Sequence, residues 1–383
     1  MNIFAAGLLG ITFPMLAKKL YGYSLTRPQV YFSVLVMCVL WRTLLAYVLM
    51  DLPAAVFFIS AFTIYIYFLE KPSIAKGVFC GAFFAIASNL KVNYQYVSIA
   101  LVAVWTVFFF VKKAKHIKRL SNPKAKKRIL NKLFNVKSIS SAAVIVLAFF
   151  AVCIPQLVIN TSKGVVTLTP YETESSYAVL SAEDENYLVV ELGASRTFTY
   201  MRLYPSGSLA DRQVQGIMRD YIGNTSSLLK YPQLFEMFLR KPIDTLIMMS
   251  KKIILGMNVL DSSPYNAEYT GYNNSLVWLK CLLNYTVLFG GIYAVFRKRG
   301  NIKDKLIFFC MFLLCILPNT LSQVEWRYFV VGYLFAAFYF CYSFLPYYTV
   351  RSNEEAECYS LNVFYKGLAV FLPAMVIVCA TIT

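Results

Sequence analysis

Ten apolar stretches recur along the chain, at residues 2–17, 30–50, 52–69, 77–90, 96–111, 139–159, 275–296, 306–321, 328–348 and 361–381, and most charged residues fall between them. About 20 apolar residues, or as few as about 17, let a helix cross a bilayer. Only a helix satisfies all its backbone N–H and C=O groups within such a segment. The repetition therefore predicts an all-α integral membrane protein with about ten transmembrane helices. Stretch 77–90 is short and polar at its ends, which predicts a half-membrane helix paired with 96–111.

The charges between the stretches orient them. Connections carrying Lys18, Lys19 and Arg27, then Lys71 and Lys76, then the run from Lys112 to Lys137, then Arg297 to Lys305, then Arg351, alternate with connections that are short or of mixed charge. Basic connections stay on the cytoplasmic side. Asp51, the turn at 91–95, the segment 160–274 and the turn at 323–327 are thereby expected outside. Three regions follow: an N-terminal transmembrane region (1–159, six spans, with a basic cytoplasmic loop at 112–138), an exoplasmic loop subdomain (160–274) and a C-terminal transmembrane region (275–383, four spans). The same rule puts Met1 outside, at the start of a span with no leader before it. The expectation is that an upstream span and outer loop are missing.

Composition narrows the function classes. The chain is 58% hydrophobic and 15% charged, with a mean hydropathy of +0.58, against about 45–50% and 25% in soluble domains. Its net charge of +18 is accounted for by cytoplasmic connections, so no nucleic-acid partner is expected. The run from Lys112 to Lys137 contains no acid; it serves as a topology determinant or as a site for anionic headgroups. Of the 9 cysteines, none falls in the outer loop, so no disulfide framework or metal-ligand spacing is present. His116 is the single histidine and sits among lysines, which argues against histidine catalysis and a histidine-held metal.

The 160–274 segment holds most of the chain's 19 acids. Val165–Leu168 and Tyr187–Leu192 are short apolar runs able to pair as strands, so this subdomain is expected to be helical or mixed α/β. Ser208 with Asp211 reads as a helix start. Ile243, Leu246, Ile247, Ile253, Ile254 and Met257 recur at helical spacing, which fits a helix lying flat on the membrane surface or one packed on the loop's own core.

Ionisable groups at or within spans are expensive and mark candidate sites. Asp51 opens a span before Pro53, as a helix cap or as a carboxylate at a site mouth. Arg42 lies about 12 Å inside the outer end of its span at about 1.5 Å per residue, too deep for easy snorkelling; it faces the protein interior, in a structural ion pair or a site. Lys91 stands in the polar turn Asn89-Leu-Lys-Val-Asn-Tyr-Gln95, an outer-face cation that phosphate binding would explain. Glu325 and Arg327, in Gln323-Val-Glu-Trp-Arg-Tyr328, either pair with each other or present a carboxylate and a planar guanidinium fork. Cations at the outer face suit a lipid-linked phosphate, and a carboxylate suits deprotonation of an acceptor hydroxyl.

With these residues the chain resembles the C-type (GT-C) glycosyltransferase superfamily of polytopic enzymes, and within it the bacterial dolichyl-phosphate-mannose–protein mannosyltransferase and aminoarabinose transferase branch. Three stretches carry the likeness. Asp51-Leu-Pro-Ala-Ala-Val-Phe-Phe58, running into Tyr65-Ile-Tyr-Phe-Leu69, is similar to the family's acid-then-span segment. Gly77-Val-Phe-Cys-Gly-Ala-Phe-Phe-Ala-Ile-Ala87, followed by Lys91, is similar to its small-residue span before a basic residue. Val324-Glu-Trp-Arg-Tyr-Phe329 is similar to its Glu-x-Arg-Tyr stretch; Ile154-Pro-Gln-Leu-Val-Ile-Asn160 leading into a large outer loop also fits. The resemblance implies transfer of a sugar from a polyprenyl-phosphate donor to a protein, lipid or cell-wall glycan on the outer face of the cell membrane. Asp51 and Glu325 would then be the catalytic carboxylates, and Lys91, Arg327 and Arg42 the phosphate ligands. No cofactor beyond the lipid-phosphate sugar is implied, except a divalent cation as an option. The family's principal carboxylate sits in the first outer loop, which has no counterpart here; this form of the chain is therefore expected to transfer little or no sugar. A transporter, flippase or polymerase of cell-envelope polysaccharide is the competing expectation. Transporters are built on internal repeats with midplane sites, and neither is evident in the sequence. A non-catalytic membrane subunit is a third.

Overall fold

In a computed structural model of the chain, the residues described are 2–22, 27, 30–36, 51–91, 93–119, 136–168, 238–240, 242–256, 275–296, 302–316, 329–344 and 356–382. Among them the structure is almost wholly helical, with no strand. The chain divides into two compact units, Met1–Leu25 with Leu44–Tyr171, and Thr26–Thr43 with Glu172–Thr383.

Among the described residues the first unit contains five helices. Helix α1 runs through Asn2–Gly7, a π-helical stretch Leu8–Thr12 and Phe13–Tyr21. It ends at Gly22, whose positive φ of 79° closes the helix with a bond from its N–H to Lys18 O of 3.0 Å, a conformation open to glycine at little cost. Helices α2 (Asp51–Glu70), α3 (Ile74–Leu90), α4 (Asn93–Arg119) and α5 (Val136–Ser162) follow. Four segments among the described residues are long and apolar enough to cross a membrane: Ile3–Tyr21, Asp51–Glu70, Asn93–Val111 and Ala142–Ser162.

Helix α2 is the hub. Its Phe57 meets Phe4 of α1 and Phe83 of α3, Phe58 meets Phe84 of α3 and Tyr94 of α4, and Phe62 stands edge-on to Trp105 of α4. Some polar groups within this greasy body are matched: Thr12 and Ser60 share a hydrogen bond of 2.9 Å, and the Tyr65 hydroxyl bonds Thr106. Helix α5, by contrast, turns Val146, Leu147, Phe150, Ile154 and Val158 outward. Apolar side chains on the outside need an apolar surrounding, and this helix is of spanning length.

Helix α3 lies between α2 and α5 and also touches α4. Its 17 residues extend about 25 Å, close to a full hydrocarbon thickness. It is shorter than the four segments of spanning length, and its larger neighbours are α2 and α5 rather than the helix that holds 96–111. The reason lies in its small residues. Gly77, Gly81 and Ala85 recur every four positions, and small residues let helix backbones approach in lipid, where there is no hydrophobic force to drive them together. A Cβ on Gly81 would lie 2.1 Å from Ile145 O and 3.0 Å from Ala148 Cβ of α5.

The second unit contains α6 (Pro242–Gly256), α7 (Ser275–Phe296), α8 (Ile302–Met311, continuing as a π-helical Phe312–Ile316), α9 (Val330–Tyr339, continuing as a π-helical Phe340–Phe344) and α10 (Ala356–Ile382). Residues 30–36 are also helical here. Helix α9 is its buried centre. Gly290 and Gly291 let α7 close on it, where added Cβ atoms would meet the Phe340 ring at 2.4 Å and Ala336 O at 2.5 Å. Phe289 of α7 packs on Phe364 and Phe371 of α10.

Candidate functional site

The two ends of α2 carry ion pairs. At its last residue, Glu70 pairs with Lys19 of α1, and the Lys19 ammonium lies 4.9 Å from the centroid of the Tyr67 ring. At its first residue, Asp51 accepts from the Lys91 ammonium. A helix of 20 residues sets these ends about 30 Å apart, the thickness of a bilayer's hydrocarbon core. Lys19 and Glu70, from two connections assigned to the cytoplasm, share one end; Asp51 and Lys91, from two assigned outside, share the other.

The Asp51–Lys91 pair forms because α2 and α3 are antiparallel helices of similar length joined by a tight turn. Lys71–Ser73 connects them, and the Ser73 side chain caps α3 by accepting from Lys76 N–H at 3.4 Å. Lys91 is the C-terminal cap of α3, its N–H bonded to Ala87 O at 3.0 Å, and its extended backbone turns the chain into α4. Asp51 sits in the first turn of α2, where the helix dipole favours a carboxylate. Their side chains are 10% and 19% exposed, respectively. Two turns deeper the floor is aromatic: the Phe58 and Tyr94 ring centroids are 5.0 Å apart. The pair thus lies in a poorly hydrated setting, where electrostatic interactions are stronger than in water.

Further polar groups gather at the same end of this unit. Asn89 donates to Ala85 O at 3.0 Å and to Cys153 Sγ of α5 at 3.5 Å. Its Oδ1, and Ser98 Oγ on α4, are buried without a hydrogen-bond partner among the described residues. At the exit of α5, Asn160 donates to Thr167 O at 2.8 Å and accepts from Gln156 at 2.9 Å. Sequence reasoning passed over Ser98, and quoted Asn160 only as the end of a stretch leading into the outer loop. The polar turn containing Asn89 and Lys91 was a signal for the first, because α4 begins directly after it.

Of the five site residues expected from sequence, Asp51 and Lys91 are brought together; Arg42, Glu325 and Arg327 lie outside the described residues. Of the strands expected at 165–168 and 187–192, the first lies within the described residues and is not strand, and the second lies outside them. No group of three or more His, Cys, Asp or Glu able to hold a metal occurs among the described residues. Asp51, with an ammonium already on its carboxylate, does not form a divalent-cation site by itself. In the second unit Asp304, counted in sequence among a basic connection, is buried, and its backbone carbonyl accepts from the Tyr339 hydroxyl at 3.2 Å. Compared with known proteins, the chain matches no family model, no curated protein and no solved structure.

Proposed function

We propose that this chain is a multi-pass cell-membrane glycosyltransferase of about ten spans. It would move a sugar from a polyprenyl-phosphate donor to a protein, lipid or glycan acceptor on the outer face, with residues 160–274 exposed there. The observation that carries this reading is the Asp51–Lys91 pair at one end of α2. It joins, at one membrane boundary, the two chemistries the reaction needs. In the transfer, the bond between the sugar's anomeric carbon and the phosphate oxygen breaks, and its electron pair leaves with the polyprenyl phosphate. A new bond forms from the acceptor oxygen to the anomeric carbon, and the hydroxyl proton passes to a carboxylate. Lys91, with Arg327 and Arg42, would neutralise the leaving phosphate; Asp51 or Glu325 would take the proton or orient the acceptor. The resemblance of Val324-Glu-Trp-Arg-Tyr-Phe329 and of the Asp51 and Gly77–Lys91 stretches to the GT-C pattern supports the same assignment.

The experiment is to place the purified chain in vesicles with a radiolabelled polyprenyl-phosphate sugar and an acceptor extract. Transfer by this form is expected to be weak at most, and whatever label passes to the acceptor should be lost in Asp51→Asn and in Lys91→Met while the protein stays folded. Label that crosses the bilayer still attached to its polyprenyl carrier would instead establish a flippase or transporter. Transfer that survives both substitutions would remove this pair from the site.

A further inference from the structure

Helix α6 is inverted relative to a helix of a water-soluble domain. On an amphipathic helix of a soluble fold the apolar stripe faces the protein and the polar face meets water. Among the described side chains of α6, Thr245 and Met249 are packed inward, at 1% and 9% exposure. Ile243, Leu246 and Ile247, on the other side of the helix, are 71%, 51% and 45% exposed. Leu239, one turn before Ile243, is also exposed.

The surface that the stripe joins identifies what covers it. Helix α6 packs on α10, a helix of 27 residues whose Val363, Tyr365, Val370 and Ile377 point away from the protein. Helix α6 thus adjoins a helix long enough to span, whose outward side chains are apolar as well. The segment also carries Arg240, Lys241, Lys251 and Lys252 against the single acid Asp244, a balance suited to anionic headgroups.

We infer that α6 is an interfacial anchor: it lies at the membrane surface with Ile243, Leu246 and Ile247 in the acyl-chain boundary and its basic residues at headgroup level. The occupant of the stripe is lipid. This rests only on the placement of the chain in a membrane and stands independently of whether the chain transfers sugar.

The test uses the full chain in vesicles of phosphatidylethanolamine and phosphatidylglycerol. A benzophenone amino acid replaces Ile247, or as controls Asp244 and Met249, and is photolysed. Mass spectrometry of the Ile247 variant should find lipid adducts in at least several-fold excess over the Asp244 variant, while the Met249 variant links within its own chain. Dimer-sized adducts from Ile247 would assign the stripe to a second copy. Intrachain adducts from Ile247 would assign it to the protein's own core. Equal lipid labelling at Ile247 and Asp244 would remove the orientation. Each of these three outcomes overturns the inference, and none depends on glycosyltransferase activity.

Discussion

Asp51 and Lys91, 40 residues apart in sequence, meet as a carboxylate–ammonium pair at the point where α2 begins and α3 ends. Each is mostly enclosed, so neither charge is well hydrated without the other. Removing one partner of a buried pair costs up to about 3–5 kcal/mol, whereas replacing both with neutral groups costs much less. Asp51→Asn and Lys91→Met should each lower the thermal unfolding midpoint in detergent, and the double variant should recover much of the loss. Additive losses would mean that the two charges do not stabilise each other.

The α3–α5 seam gives a sharper stability prediction. A methyl at position 81 would collide with the main chain of α5, and overpacking of this kind costs about 1–3 kcal/mol. Gly7, in α1, has nothing within 4 Å of where a Cβ would sit, and there a methyl should gain about 0.5–1 kcal/mol from helix propensity. Gly81→Ala should therefore lower the unfolding midpoint and Gly7→Ala leave it unchanged or raise it. Equal midpoints for the two variants would refute the close approach of α3 and α5.

How far the sequence carried this picture depends on what sets each feature. Helix extents follow from hydropathy and caps, so 275–296 coincides with α7, and 52–69 with α2 within a residue at each end. Helix α4 runs to Arg119, past the apolar boundary at Val111, because Lys, Ala and Arg remain good helix formers in water. The meeting of Asp51 and Lys91 was legible in principle: two helices of 20 and 17 residues joined by a three-residue turn return the chain to its starting height. The partner of α3 was not legible. Small residues say that some backbone comes close, and only the fold says that it is that of Ile145 and Ala148. Nor does periodicity alone say which face of α6 is covered; the burial of Thr245 and Met249 decides that.

On the proposed function, Arg327 binds the donor phosphate through its planar fork. Arg327→Lys keeps the charge and loses the bidentate geometry. Donor affinity should weaken by about 1.5–3 kcal/mol, the contribution of a hydrogen bond to a charged group. Titration of the folded variant with a polyprenyl-phosphate sugar measures this. Unchanged affinity in Arg327→Ala would exclude the residue from the site.

The proposed topology places residue 206 outside. Ser206→Cys in intact cells should react with a membrane-impermeant maleimide. Reaction only after permeabilisation would reverse the assignment of the 160–274 segment.

The obstacle to a side chain at position 81 is a main-chain oxygen, that of Ile145, and this makes the two sides of the seam unequal under mutation. Any residue at 145 carries the same carbonyl, so no replacement there makes room for a methyl opposite. Ala148 is different, since its own Cβ can be given up. Sequence drift is therefore tolerated on α5 and barred on α3 unless the helices move apart. Because α3 lies between α2 and α5 and Lys91 ends it, such a re-spacing would press α3 on α2 and shift the ammonium relative to Asp51. A single hydrogen atom in the middle of the bundle thereby holds the register of a charge pair at its rim.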